Sequence, residues 1–223
     1  MGAGLREPFN SLSHLAGAAL ALPASLILIL AGLASEAGLA SETGGAGTPK
    51  LVSLAVYGLS LFTLFAASGI YHASRASAEA LARLRQVDHA AIYVLIAGTY
   101  TPFCLIAFSG FWKWGLLAII WTLAFAGVIA TLFIMGLPRG VTAGIYVGMG
   151  WLSVFAVREF IAKLSPFTLG WLVAGGLLYT FGAVIYATKK GSFFSGRLGF
   201  HEIWHVFVLL AAVAHFISVA SLI

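Results

Sequence analysis

The chain has 223 residues, of which 61% are hydrophobic and only 9% charged, against roughly 45–50% and 25% in an ordinary soluble domain. A mean hydropathy of +1.03 and a formal charge of +5 exclude a water-soluble globule. They also exclude the usual nucleic-acid reading of surplus positive charge, because in a membrane chain Lys and Arg mark the cytoplasmic side and meet anionic headgroups.

Seven stretches contain no Asp, Glu, Lys or Arg: 11–34, 51–71, 90–111, 114–137, 140–157, 164–188 and 203–223. Each is close to the roughly 20 apolar residues that carry a helix across a bilayer. Hydrocarbon offers the backbone no hydrogen-bond partners, and strand-like alternation is absent, so every stretch reads as a helix. The expectation is an all-α polytopic membrane protein, a single domain of seven transmembrane helices over 1–223. The first stretch is longer than the roughly 7–15 apolar residues of a signal peptide, so it is read as a span integral to the cell (plasma) membrane.

In chain order, Glu7 and Asn10 precede the first span and His14 lies near its start, where an interfacial histidine is the plain reading. The sequence Gly-Leu-Ala-Ser-Glu then occurs at 32–36 and 38–42, followed by Gly44, Gly45, Gly47 and Pro49, the composition of a flexible loop. Span two ends with Ser68 and His72 at i and i+4, and Asp88 and His89 open span three. Cys104, the single cysteine, sits within span three, where it has no intrachain disulfide partner and reads as a small hydrophobe. Phe111, Trp112 and Trp114, and later Phe193 and Phe194, fall at span ends as interface anchors. Gly144 and Gly148 have the GxxxG spacing of close helix packing. Lys189 and Lys190 flank a loop on the N-terminal side, and span seven begins with His201 and His205, again at i and i+4.

Alternating spans place Arg6, Arg75, Arg83, Arg85, Arg139, Lys189, Lys190 and Arg197 on the side of the N-terminus, and only Lys50, Lys113, Arg158 and Lys163 on the other. The excess points to a cytoplasmic N-terminus and an external C-terminus. The same alternation brings His72, Asp88, His201 and His205 into one leaflet. Residues at i and i+4 lie roughly 40° and 6 Å apart on one helix face, so His201 and His205 are suited to share a metal. Charged and polar groups in a bilayer persist where they pair, line a cavity or bind an ion. Three histidines and an open position are a familiar set for catalytic zinc, with Asp88 placed to orient a water or take its proton.

The string His201-Glu202-Ile203-Trp204-His205 also matches the H-E-x-x-H pattern of zinc proteases. No Asp or Glu follows it, and Ala211 stands where the extended version of that pattern needs a third histidine. The third ligand must come from upstream, which leads back to His72. Glu202 then reads as a first-turn acid or an outer partner of a ligating histidine. His89 points roughly 100° away from Asp88 and reads as a neighbour of the site. His215, roughly 15 Å beyond His205, is a poor ligand.

Taken in order, Glu7-Pro8-Phe9-Asn10, Ser68-x-x-x-His72, Asp88 and His201-x-x-x-His205 resemble the motif set of the hemolysin III family. That family belongs with the progestin and adipoQ receptors, including the adiponectin receptors, and is more distantly similar to alkaline ceramidases. The resemblance implies a zinc ion held by His72, His201 and His205. Asp88 and Ser68 would lie beside it, Asp88 contacting the zinc-bound water, and the Glu7–Asn10 motif would close the cytoplasmic mouth. The function it suggests is a zinc-dependent hydrolase of a lipid amide, with membrane lipid as substrate or ligand. Two alternatives are a receptor or regulator with a structural zinc, and a cytolysin. The short loops and short N-terminal segment make binding of an extracellular hormone a poor fit.

Overall fold

The computed structural model describes residues 4–43, 47–134, 138–190 and 199–223. Among these, seven helical segments are long and apolar enough to cross a membrane. They are built from α1 (Pro8–Thr43), α2 (Gly47–Ala73), α3 (Ala78–Pro102, prolonged by a wider turn at Phe103–Ala107), α4 (Gly110–Phe133), α5 and α6 (Arg139–Gly150 and Val157–Lys163, joined by a tighter turn at Trp151–Ala156), α7 (Pro166–Thr188) and α8 (Phe200–Ala220). Large apolar side chains face outward all round, among them Leu20, Ile27, Phe133 and Phe155, as a lipid solvent requires. The span of α3 is 67% buried and that of α4 17%, so α3 is the inner helix around which the others stand.

Successive spans alternate in direction. At one end the last carbonyls of α2 accept from the start of α1, Glu7 N–H on His72 O at 3.1 Å and Arg6 N–H on Ala73 O at 3.5 Å. There too Gln86 of α3 donates to Thr131 O and Leu132 O of α4, and Arg139 lies over Tyr186 and Phe200. At the other end Ser218 of α8 and Ser221, its C-cap, donate to Thr168 near the start of α7. The backbone carbonyls left over at the ends of α2 and α4 thus find donors just before α1 and in α3.

Several expectations are corrected. The charge-free runs place Asp88 at the opening of span three, but α3 starts at Ala78 with Ser77 as its N-cap, so Asp88 stands ten residues inside it. Its first turns carry Glu79, Arg83 and Arg85, which continue the helix without being apolar. The segment read as a flexible loop after span one is helical through Thr43, although Gly44 and Gly45 lie outside the described residues, as do Phe193, Phe194 and Arg197. A Cβ on Gly144 or Gly148 would meet nothing within 4 Å among the described residues, whereas one on Gly98 would strike Ser60 and one on Gly58 would strike Ser25. Close helix approach therefore occurs between α1, α2 and α3, where small residues let the backbones meet.

Candidate metal centre

His72 comes from the last turn of α2, and His201 and His205 from the first turns of α8. One ring nitrogen from each lies within 4.8 Å of the others. The rings meet at centroid distances of 4.6 to 5.1 Å. His72 and His205 are each 2% exposed, and His201 is half-buried. The two α8 histidines converge because i and i+4 share a helix face; His72 joins them because α1, tied to the end of α2, also lies against α8.

The free nitrogens show what the cluster can hold. Nε2 of His201 and Nε2 of His205 are buried and have no hydrogen-bond partner among the described residues. His72 has Nδ1 committed to Glu7 Oε2 at 2.7 Å, which leaves its Nε2. A buried polar atom without a partner is costly, and three imidazoles that each bring one nitrogen within 4.8 Å of the others match a divalent transition metal with nitrogen preference. The histidine group could therefore bind a metal.

Asp88 stands beside this group and is not one of its members. It is buried, as is Ser68; His89, Ser68 and His72 all act on its carboxylate, with His89 Nδ1 at 3.4 Å. Glu202 turns back to accept the Gly199 N–H at 2.9 Å. It caps α8, in keeping with its first-turn position. His215 lies elsewhere, with Nε2 3.2 Å from Leu172 O.

Two residues, one in α1 and one just before it, matter more than the sequence suggests. His14, read as interfacial, is 2% exposed, and its ring nitrogen sits 2.8 Å from His205 Nδ1. Glu7 contacts His72 directly and accepts from Asn10 Nδ2 at 3.0 Å, with Arg6 Nη2 3.2 Å from its other oxygen. Burial pushes the Glu7 carboxyl up, but the hydrogen bond from Asn10, the His72 ring and the Arg6 guanidinium together hold it below its ordinary value. The legible signal was spacing: residues 7, 10 and 14 fall within roughly 60° on a helix.

From the histidines a cavity of about 560 Å³ extends into the bundle. Near the cluster it is bordered by Asp88, Ser68, Arg85 and Arg139, and deeper by Leu95, Ile96, Phe103, Leu169, Leu172 and Val208.

An all-helical bundle of seven candidate spans enclosing a buried histidine triad defines a class of membrane protein with a possible metal centre. The chain matches the Haemolysin-III related family model over residues 4–216. It is 39% identical to Hemolysin-3 of Bacillus cereus over 214 residues, covering 96% of this chain and 90% of that protein. Against the Hemolysin-3 homolog of Bacillus subtilis (strain 168) it is 36% identical over 213 residues, 96% of this chain and 92% of the relative. The Adiponectin receptor protein of Drosophila melanogaster is 26% identical over 153 residues, 61% of this chain and 34% of that protein. The chain belongs to the hemolysin III family.

Proposed function

We propose that this protein is a zinc-dependent hydrolase of a lipid amide, seated in the plasma membrane with its site in the cytoplasmic leaflet. The observation that carries the reading is the pair of Nε2 atoms of His201 and His205, without a partner among the described residues, with Asp88 alongside, at one end of a mostly apolar cavity. His72, His201 and His205 would hold the zinc, which supplies Lewis acidity toward a carbonyl oxygen and lowers the pKa of water.

The chain's own residues account for the rest. Leu95, Ile96, Leu169 and Leu172 offer an acyl chain apolar walls, which places an amide carbonyl next to the histidines. Asp88 takes a proton from the attacking water as its oxygen bonds to the carbonyl carbon, and returns that proton to nitrogen as the C–N bond breaks. The products are a fatty acid and an amine. Ser68 holds Asp88 in place, and Arg85 and Arg139 complement the carboxylate that leaves.

Purified protein should contain about one zinc per chain and release fatty acid from a ceramide in mixed micelles. Chelation should abolish the release and zinc should restore it; release that is indifferent to the chelator would refute the reading. The names of the two Bacillus relatives support cytolysis as a second reading. The same preparations decide it, because lysis of erythrocytes that persists in a His72→Ala variant does not depend on this site.

A further inference from the structure

The start of α1 contacts two of the three histidines, on the side of each ring opposite the nitrogen left for the metal. We infer that Glu7, Asn10 and His14 form the outer shell of the metal centre, each acting as a positioning residue that fixes the ring orientation and tautomer of a ligand. The inference rests on the zinc reading and assigns a role to the Glu7-x-x-Asn10-x-x-x-His14 spacing.

For His72 the chain of contacts is direct. Nδ1–H donates to Glu7 Oε2 at 2.7 Å, so the lone pair is on Nε2. Asn10 Nδ2 donates to the same oxygen at 3.0 Å, and Arg6 Nη2 lies 3.2 Å from Oε1. The carboxylate is thus aimed from both sides. A carboxylate behind a ligating imidazole raises the basicity of the coordinating nitrogen.

For His205 the partner is neutral. If Nε2 coordinates, the proton is on Nδ1, which lies 2.8 Å from His14 Nε2 and 3.2 Å from His14 Nδ1, and one of these two nitrogens accepts it. His14 must then keep its own proton on its other nitrogen. The two supports therefore differ: a charged acceptor behind the α2 ligand and a neutral one behind the α8 ligand. Both come from one helix start whose backbone is bonded to the end of α2. Ligands from two spans far apart in sequence thereby share one brace.

The test uses the purified full-length protein in detergent, with zinc affinity measured by competition against a fluorescent chelator and geometry read from the visible bands of the cobalt-substituted protein. Glu7→Gln and His14→Leu should each weaken zinc by about 10–100-fold and alter the cobalt bands, while the melting of the metal-free protein shows that each variant is folded. Glu7→Asp, which keeps the charge, should recover part of the loss. Should Glu7→Gln fail to fold, Asn10→Ala retains the carboxylate but removes the amide that aims it, and should weaken zinc several-fold. Folded variants with wild-type affinity and unchanged cobalt bands would overturn the outer-shell role while leaving the zinc reading intact. A wild-type protein that binds neither metal would overturn both.

Discussion

At the scale of single residues, Asp88 separates the possible roles of the site. Buried ten residues into α3, it is no helix cap, and it is absent from the group whose nitrogens converge. Asp88→Asn keeps the shape but cannot accept a proton from water. Zinc content should therefore stay near that of wild type while amide hydrolysis falls by about 100-fold or more, the usual scale of a general base. Loss of zinc would make Asp88 a ligand, and retained turnover would remove it from the chemistry. The three histidines and Asp88 were legible because polar groups stand out in a chain that is only 9% charged and because i, i+4 spacing sets them on one face. His14 was not, since a lone histidine near a span end is ordinarily satisfied at the interface. Only the packing of α1 against α8 shows that its ring reaches His205.

At the scale of elements, charge-free runs located every span but not every boundary. A helix continues through Arg83, Arg85 and Glu79 because its hydrogen bonds do not depend on side-chain polarity, so the start of α3 was hidden. Span five read as one uninterrupted run, yet it changes to a tighter turn at Trp151–Ala156. There the Tyr100 hydroxyl lies 2.6 Å from Gly150 O and accepts the Ser153 N–H at 2.8 Å, a pairing between spans that no local pattern announces. Glycine was misleading for the same reason, since its meaning depends on what lies opposite. Gly98 faces Ser60 so closely that a Cβ has no room, while Gly144 faces open space. Gly98→Ala should therefore destabilise the detergent-solubilised protein by about 1–3 kcal/mol, the cost of overfilling a packed contact. Gly144→Ala should be neutral or stabilising by up to about 1 kcal/mol, from the entropy that glycine loses in a helix. Thermal unfolding of the two variants beside wild type checks the order, and equal losses would show that the α2–α3 contact is looser than the structure has it.

At the scale of the whole molecule, an odd number of alternating spans puts the start of α1 and the end of α8 at opposite ends of the bundle, with the histidines at the end where α1 begins. The proposal that this end is cytoplasmic rests on the seven Lys and Arg that share it among the described residues, against four at the other, and on the rule that short basic loops are retained inside. Ala76 lies in the exposed link between α2 and α3 at the histidine end, and Thr48 is exposed at the opposite end. The native Cys104 is fully buried, so single added cysteines can be read against a low background. A membrane-impermeant maleimide should label Thr48→Cys in intact cells, and label Ala76→Cys only after the membrane is opened. The reverse pattern would turn the site toward the outside and make an outer-leaflet lipid its substrate. Labelling of both in intact cells would break the alternation that brings His72 and His201 together. The predicted pattern places the polar head of the cavity at the cytoplasmic leaflet, where an amphiphile already dissolved in the bilayer needs only lateral entry to bring its amide to Asp88.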